Sequence, residues 1–178
     1  DIIRVRARAD KILKYKINDL RRGEVPSWAH HVTVGVDLGG HYCWWAAVAW
    51  SLTGRGHVID YGPIEIPQDR EQTAALLGSL RAWGDCLAGR DWTRQGLQIV
   101  PGLIVVDSGW LPELVYRLVS ERGWMASRGL GGSINVRQYR PPRPGVRGIR
   151  HGDGWYTKIH QDFRVQVLYP DGNRWKRE

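Results

Sequence analysis

The sequence predicts an α/β domain built on a mixed sheet, with an antiparallel three-stranded meander, then parallel strands, and flanking helices. Three observations lead there. His31 to Leu38 (HVTVGVDL) is a β-branched run, and two further runs follow it across short turns: Tyr42 to Trp50 (YCWWAAVAW) and His57 to Ile66 (HVIDYGPIEI). Consecutive strands joined by tight turns form a meander. Leu103 to Asp107 (LIVVD) is almost wholly apolar, the pattern of a central parallel strand covered on both faces. Segments with helical spacing lie before and after that fourth strand, giving the order β-β-β-α-β-α-β.

Each element has its own signal. Residues 4–22 lack Pro and Gly, and Ile12, Leu13, Ile17 and Leu20 recur at helical spacing. This predicts a basic amphipathic helix ended by Gly23 and Pro26. Residues 67–87 read as a helix through Ala74, Leu77, Leu80 and Leu87, weakened by Gly78 and Gly84. Leu111 to Arg122 is a helix with Pro112 in its first turn, where a missing N–H costs nothing, and Gly123 at its end. A fifth strand is expected within Trp124 to Val136. Residues 137–154 read as a Pro/Gly-rich loop, 155–160 and 164–169 as strands, and Pro170 to Asn173 as a turn.

Composition narrows the function classes. The 178 residues suit a single domain with a sizeable core, and 42% hydrophobic content with ten Trp excludes a disordered chain. Two cysteines, Cys43 and Cys86, exclude a disulfide scaffold or a four-cysteine zinc site, and both read as small core residues. No apolar run reaches the roughly 20 residues of a bilayer span. Because the chain opens on Asp1 rather than Met, we read it as a piece of a longer protein.

The net charge of +8 is unevenly spread. Residues 1–36 carry eight basic and four acidic side chains, residues 37–127 seven and ten, and residues 128–178 eleven and four. An acidic centre between basic flanks suits a metal-dependent enzyme acting on a polyanion: carboxylates hold cations, while Lys and Arg hold phosphates.

Two carboxylates occupy matching places, Asp37 near the end of the first strand (VGVDLGG) and Asp107 at the end of the fourth (IVVDSGW). If those strands are parallel neighbours, the two acids meet where ligands bind in open α/β sheets. Paired Asp oxygens suit Mg²⁺ or Mn²⁺, ions that drive phosphodiester hydrolysis. A strand-end Asp also caps turns and helices, as Asp107 could for the helix at Leu111. Gly39 and Gly40 let backbone approach a phosphate, and DxGG resembles the first phosphate loop of sugar-kinase and actin-like ATPases; no second phosphate loop accompanies it. Arg137, Arg140, Arg143, Arg147 and Arg150 thread a stretch free of acids from Gly123 to Gly152, a pattern that suits phosphate-backbone contact. Trp44, Trp45 and Trp50 read as packing residues, whereas Trp110 stands at the mouth of the site, where it could touch substrate.

The stretches RRGEVPSWAHHVTVGVDLGGHYCWWAAVAW, GHVIDYGPIEI and LIVVDSGWLPELVYRLVSERG resemble, over residues 21–125, the nuclease domain of lambda-like (GpA-like) bacteriophage terminase large subunits. The segment WYTKIHQDFRVQVLYPDGNRWKRE is similar to the family's later strand region. The resemblance implies an RNase H-like fold over residues 31–178, with residues 1–30 a connector from an upstream packaging ATPase. It implies Asp37 and Asp107 as catalytic ligands of two Mg²⁺ or Mn²⁺ ions, cleavage of duplex DNA, and work beside a small terminase subunit and a portal in the bacterial cytoplasm. It further implies a third acid on a C-terminal helix, expected beyond residue 178; Asp153, Asp162 and Asp171 are the weaker substitutes within the sequence. Two other readings remain open: another nuclease of the same fold, such as a junction resolvase, and a non-catalytic DNA-binding or assembly module.

Overall fold

The computed structural model describes residues 14, 19–87, 89–131, 137–143, 145, 146 and 148–175. The helix expected over residues 4–22 lies mostly outside them, as does Arg147.

Strands β1 (His31–Asp37), β2 (Tyr42–Trp50) and β3 (Gly56–Glu65) form the antiparallel meander. Helix α1 (Gln72–Leu87) follows, then a small hairpin of β4 (Thr93–Arg94) and β5 (Leu97–Gln98). Strand β6 (Leu103–Asp107), helix α2 (Pro112–Arg122) and strand β7 (Met125–Ser127) come next. Strands β8 (Arg150–Gly152), β9 (Trp155–His160) and β10 (Val165–Pro170) and the short helix α3 (Gly172–Trp175) complete the described chain.

The main sheet has eight strands in the order β3-β2-β1-β6-β7-β10-β9-β8. The four central strands β1, β6, β7 and β10 are parallel, and an antiparallel pair flanks them on each side. This corrects the RNase H-like sheet expected from the sequence, a meander followed by two parallel strands. The observed order adds a further parallel strand and an antiparallel pair beyond β7, with only two helices longer than one turn among the described residues. The reason is non-local pairing. Val167 and Leu168 bond to Ala126 and Ser127 some forty residues earlier, and no local periodicity reports such a partner.

Only one face of the sheet carries α1 and α2. Alternation along β1 sends Val32, Val34 and Val36 into that core and leaves His31, Gly35 and Asp37 exposed on the other face. On β2 the core side holds Cys43, Trp45, Ala47 and Ala49. Trp45 meets Trp83 of α1 at 5.9 Å and Trp92 at 6.2 Å, and Trp83 meets Trp124 at 5.9 Å, so a run of indoles joins sheet to helix. Truncating one such buried indole costs about 3–5 kcal/mol. Gly84, which weakens α1 by propensity, is there for packing: a Cβ would come 2.6 Å from the Trp124 ring. Cys43 is buried, but Cys86 is exposed on α1, contrary to the core role expected for it.

The helix ends follow elementary capping. Glu71 accepts the N–H groups of Thr73 and Ala74, bonds that lower its pKa below the usual carboxylate value. Gly123, at φ +67, closes α2. The predicted turn at Pro170 to Asn173 is instead the start of α3, because Asp171 accepts the N–H of Asn173 and caps it.

Residues 22–29 are stitched to the outer edge of β3 and to β4. Gly23 N–H donates to the Ile59 carbonyl, and Arg22 donates to the Tyr61 carbonyl and to Asp60. Asp60, 7% exposed, also accepts from Trp92 Nε1 at 2.9 Å and from Arg90 at 3.4 Å. Burial works to raise its pKa, but the hydrogen bonds from Trp92 and Arg22 and the Arg22 charge outweigh it, holding the carboxyl below its usual value.

Candidate active site

The parallel pairing of β1 with β6 runs Thr33↔Leu103, Gly35↔Val105 and Val36↔Val106. One step further along, Asp37 and Asp107 lie side by side, about 4.8 Å apart across the ladder, and both project from the helix-free face. This is also where the chain reverses direction across the sheet: after β1 it builds outward through β2 and β3, and after β6 through β7. In open α/β sheets such a switch point, at the carboxyl ends of the strands, is the ligand crevice.

Sharp turns follow both acids. At Gly39 a Cβ would sit 2.3 Å from the Tyr42 carbonyl, so only glycine fits there. Gln68 Nε2 donates to the Gly40 carbonyl, and Gln72 lies 3.2 Å from where a Gly40 Cβ would stand, which brings the start of α1 to this edge. Asp107 Oδ1 accepts the Gly109 N–H at 3.1 Å, and Leu111 takes the left-handed conformation without a side-chain cap. Asp107 therefore braces its own turn and does not cap α2. Ser108, fully buried, donates to the Ser127 carbonyl and fixes β6 against β7. Trp110 is exposed three residues past Asp107. The N-termini of α1 and α2 thus sit at the edge that carries the carboxylates, where their dipoles favour anions.

The sheet register places the two acids in one row across the open face: Pro63, Trp44, Asp37, Asp107, Ser127, Leu168, Thr157, Arg150. Trp44 is 55% exposed and stands next to Asp37, so it is not the packing residue the sequence suggested. Tyr61, 60% exposed, stands one row below, across Ala46. Between this aromatic shoulder and Val105 the floor is Ala46 and Gly35, and a Cβ built on Gly35 meets nothing within 4 Å. Adjacent residues on a strand face opposite ways, which sets Trp44 and Trp45 on different faces in the sequence without saying which of the two is exposed. Arg128, also missed, follows Ser127 directly at the same edge and is exposed.

The arginines of 137–150 are not gathered at the carboxylates. Arg150 lies in their row but four strands from Asp107, about 19 Å. Arg137, Arg140 and Arg143 are exposed on a loop whose Tyr139 packs on Tyr156, toward the helix side of β9 and β10. Of the substitute acids, Asp162 follows His160 at the opposite end of the sheet. Asp171 caps α3, and Asp153 pairs with Arg174. Among the described residues no group of three or more His, Cys, Asp or Glu side chains comes together, so the pair Asp37/Asp107 is the acidic centre on view.

Among the described residues no helix is long and apolar enough to cross a membrane. No curated protein matches the chain. A solved structure similar to it is the Aquifex aeolicus member of the Ppx/GppA protein family, at 12% identity and a TM-score of 0.36, covering 80% of this chain and 52% of that one. The chain thus spans about half the length of that protein. Residues 3–150 match the family described as "Terminase large subunit gpA, endonuclease domain". With the match extending over most of its length, from before β1 to the start of β8, the chain belongs to the terminase large subunit gpA endonuclease-domain family.

Proposed function

We propose that this domain hydrolyses phosphodiester bonds of duplex DNA with divalent ions, Mg²⁺ or Mn²⁺, held by Asp37 and Asp107. The observation that carries the reading is the placement of those two carboxylates: in register on neighbouring parallel strands, on one face, at the switch point. The donor set fits, because Mg²⁺ is commonly bound by one or two carboxylates with water and substrate phosphate completing its shell. Such an ion would supply activation of the attacking water and neutralise charge developing on the phosphodiester.

The chain's own residues account for the rest. The Gly39–Gly40 turn keeps side chains away from the mouth of the site, so a phosphate can approach backbone. Arg128 stands one residue past the row of the carboxylates and supplies positive charge for the flanking backbone. Arg150 extends that charge across the open face, where an arginine holds phosphate without base readout; Arg137, Arg140 and Arg143, on the helix side, have no part in holding DNA at the carboxylates. Trp110 borders the mouth of the site. The upstream packaging ATPase, the small subunit and the portal remain the partners the family suggests for the whole protein, at work in the bacterial host's cytoplasm.

The test is nicking of supercoiled plasmid by the full chain in Mn²⁺. Asp37→Ala and Asp107→Ala should each lower the rate by roughly a hundredfold or more. Metal-dependent nicking that survives either change overturns the assignment, and a preference for branched junctions over linear duplex would favour a resolvase instead.

A further inference from the structure

A second feature of the open face has no part in the reading above. A cavity of about 420 Å³ opens on the same face as the carboxylates, between β6 and the β8–β10 strands. Leu103 is on the strand of Asp107 and faces the same way, and Leu168 is two strands from Asp107 in the same row, about 10 Å away. The pocket therefore opens on the face that carries the carboxylates, about 10 Å from Asp107 at Leu168, a span of roughly one to two nucleotides along a DNA strand.

Its chemistry is graded. Leu103, Met125, Leu168 and Pro170 make apolar walls, and Arg150 stands exposed at the rim. Thr157 is buried, and Gln166 Nε2 donates to its hydroxyl at 3.1 Å, which puts an amide and a hydroxyl together at the floor. Trp155 is held in place by its cross-strand partner Gly152, where a Cβ would lie 2.5 Å from Nε1 of the indole. A flat aromatic wall, small polar groups that can bond to a base edge, and a cation at the rim are the parts by which proteins hold a nucleobase taken out of a stack.

We propose that this pocket binds an unstacked nucleotide of the DNA strand whose phosphate lies at Asp37 and Asp107. The inference rests on the nuclease reading and deepens it: the substrate is duplex with a locally opened base pair, and Trp155 is the stacking surface. An apolar protein segment is the rival occupant, since the walls alone would suit it; the rim arginine and the position of Leu168, Thr157 and Arg150 in the carboxylate row favour DNA.

The test compares binding of the full chain, in Ca²⁺ to prevent cleavage, to a fully paired duplex and to the same duplex carrying a short unpaired bubble. The wild type should bind the bubble about tenfold more tightly. Trp155→Ala should bring the ratio near one, Trp155→Phe should restore most of it, and Gly152→Ala should lower it by displacing the indole. Asp37→Asn should keep the ratio while abolishing cleavage. A ratio near one in the wild type, as expected if a protein segment fills the pocket, overturns the proposal. So does a ratio that survives Trp155→Ala. The nuclease reading fails separately, through cleavage by the Asp37 variant.

Discussion

Gly35→Ile separates the substrate face from the stability of the fold. Gly35 lies in the interior of β1, two residues before Asp37, without a positive φ, and a Cβ there meets nothing within 4 Å. A glycine in a strand interior costs about 0.5–1 kcal/mol relative to alanine, and β-branched residues suit strands better still. The variant should therefore hold its stability or gain up to about 1 kcal/mol, which for a chain of this size raises Tm by roughly 2–4 °C. The new side chain would rise from the floor between Ala46 and Val105, beside the carboxylates and as tall as they are. Displacing a reacting phosphate by about 1 Å costs on the order of a hundredfold in rate, or ~2.7 kcal/mol of barrier. Thermal melting and plasmid nicking measure the two effects on one preparation. Nicking within twofold of wild type in a folded variant would refute the idea that DNA lies on the open face, and a fall in Tm would refute the reading of Gly35 as unencumbered.

Three other substitutions have outcomes set by the same geometry. Asp60→Ala strands the buried Trp92 N–H and Arg90, and should cost about 3–5 kcal/mol near neutral pH; most of it comes from those two arms, because Arg22 is largely exposed. Because the folded-state pKa of Asp60 is depressed, its contribution is present above the unfolded value of about 3.9 and fades as pH falls through the lower folded value, so denaturant titrations of wild type and Asp60→Ala should converge in acid. Arg128→Ala should weaken DNA binding and reduce the salt slope by about one, whereas Asp162→Asn, at the far end of the sheet, should leave nicking unchanged. Nicking assays and binding isotherms over a salt series check both.

Much of the candidate site was legible because the relevant strands announce themselves. Tyr42–Trp50 and Leu103–Asp107 were bounded by glycines and acids, and their ends fell where the sequence put them. The expectation that Asp37 and Asp107 share one end of the sheet rested on the first and fourth strands being parallel neighbours, and that strand pairing is observed. The misses share a physical cause. YCWWAAVAW is apolar on both faces, so composition hid the exposure of Trp44. The β4–β5 hairpin and β8 have two or three residues per strand, too few for periodicity to register. The partner of β10 is set by a pairing across some forty residues. The arginines looked like one cluster along the chain, yet a turn and a strand spread them over two faces of the sheet.

The outermost edge of β3 bears on how the sheet ends. An exposed edge strand invites another chain to extend the sheet. Here the Ile59 carbonyl is taken by Gly23, the Tyr61 carbonyl by Arg22, and Pro63 has no N–H to offer. At the opposite end β8 is three residues long and carries Arg150. Among the described residues, then, the β3 rim has its outward groups at Ile59, Tyr61 and Pro63 spent within the chain, and the β8 rim is a short one that carries a charge, both features that discourage edge-to-edge pairing.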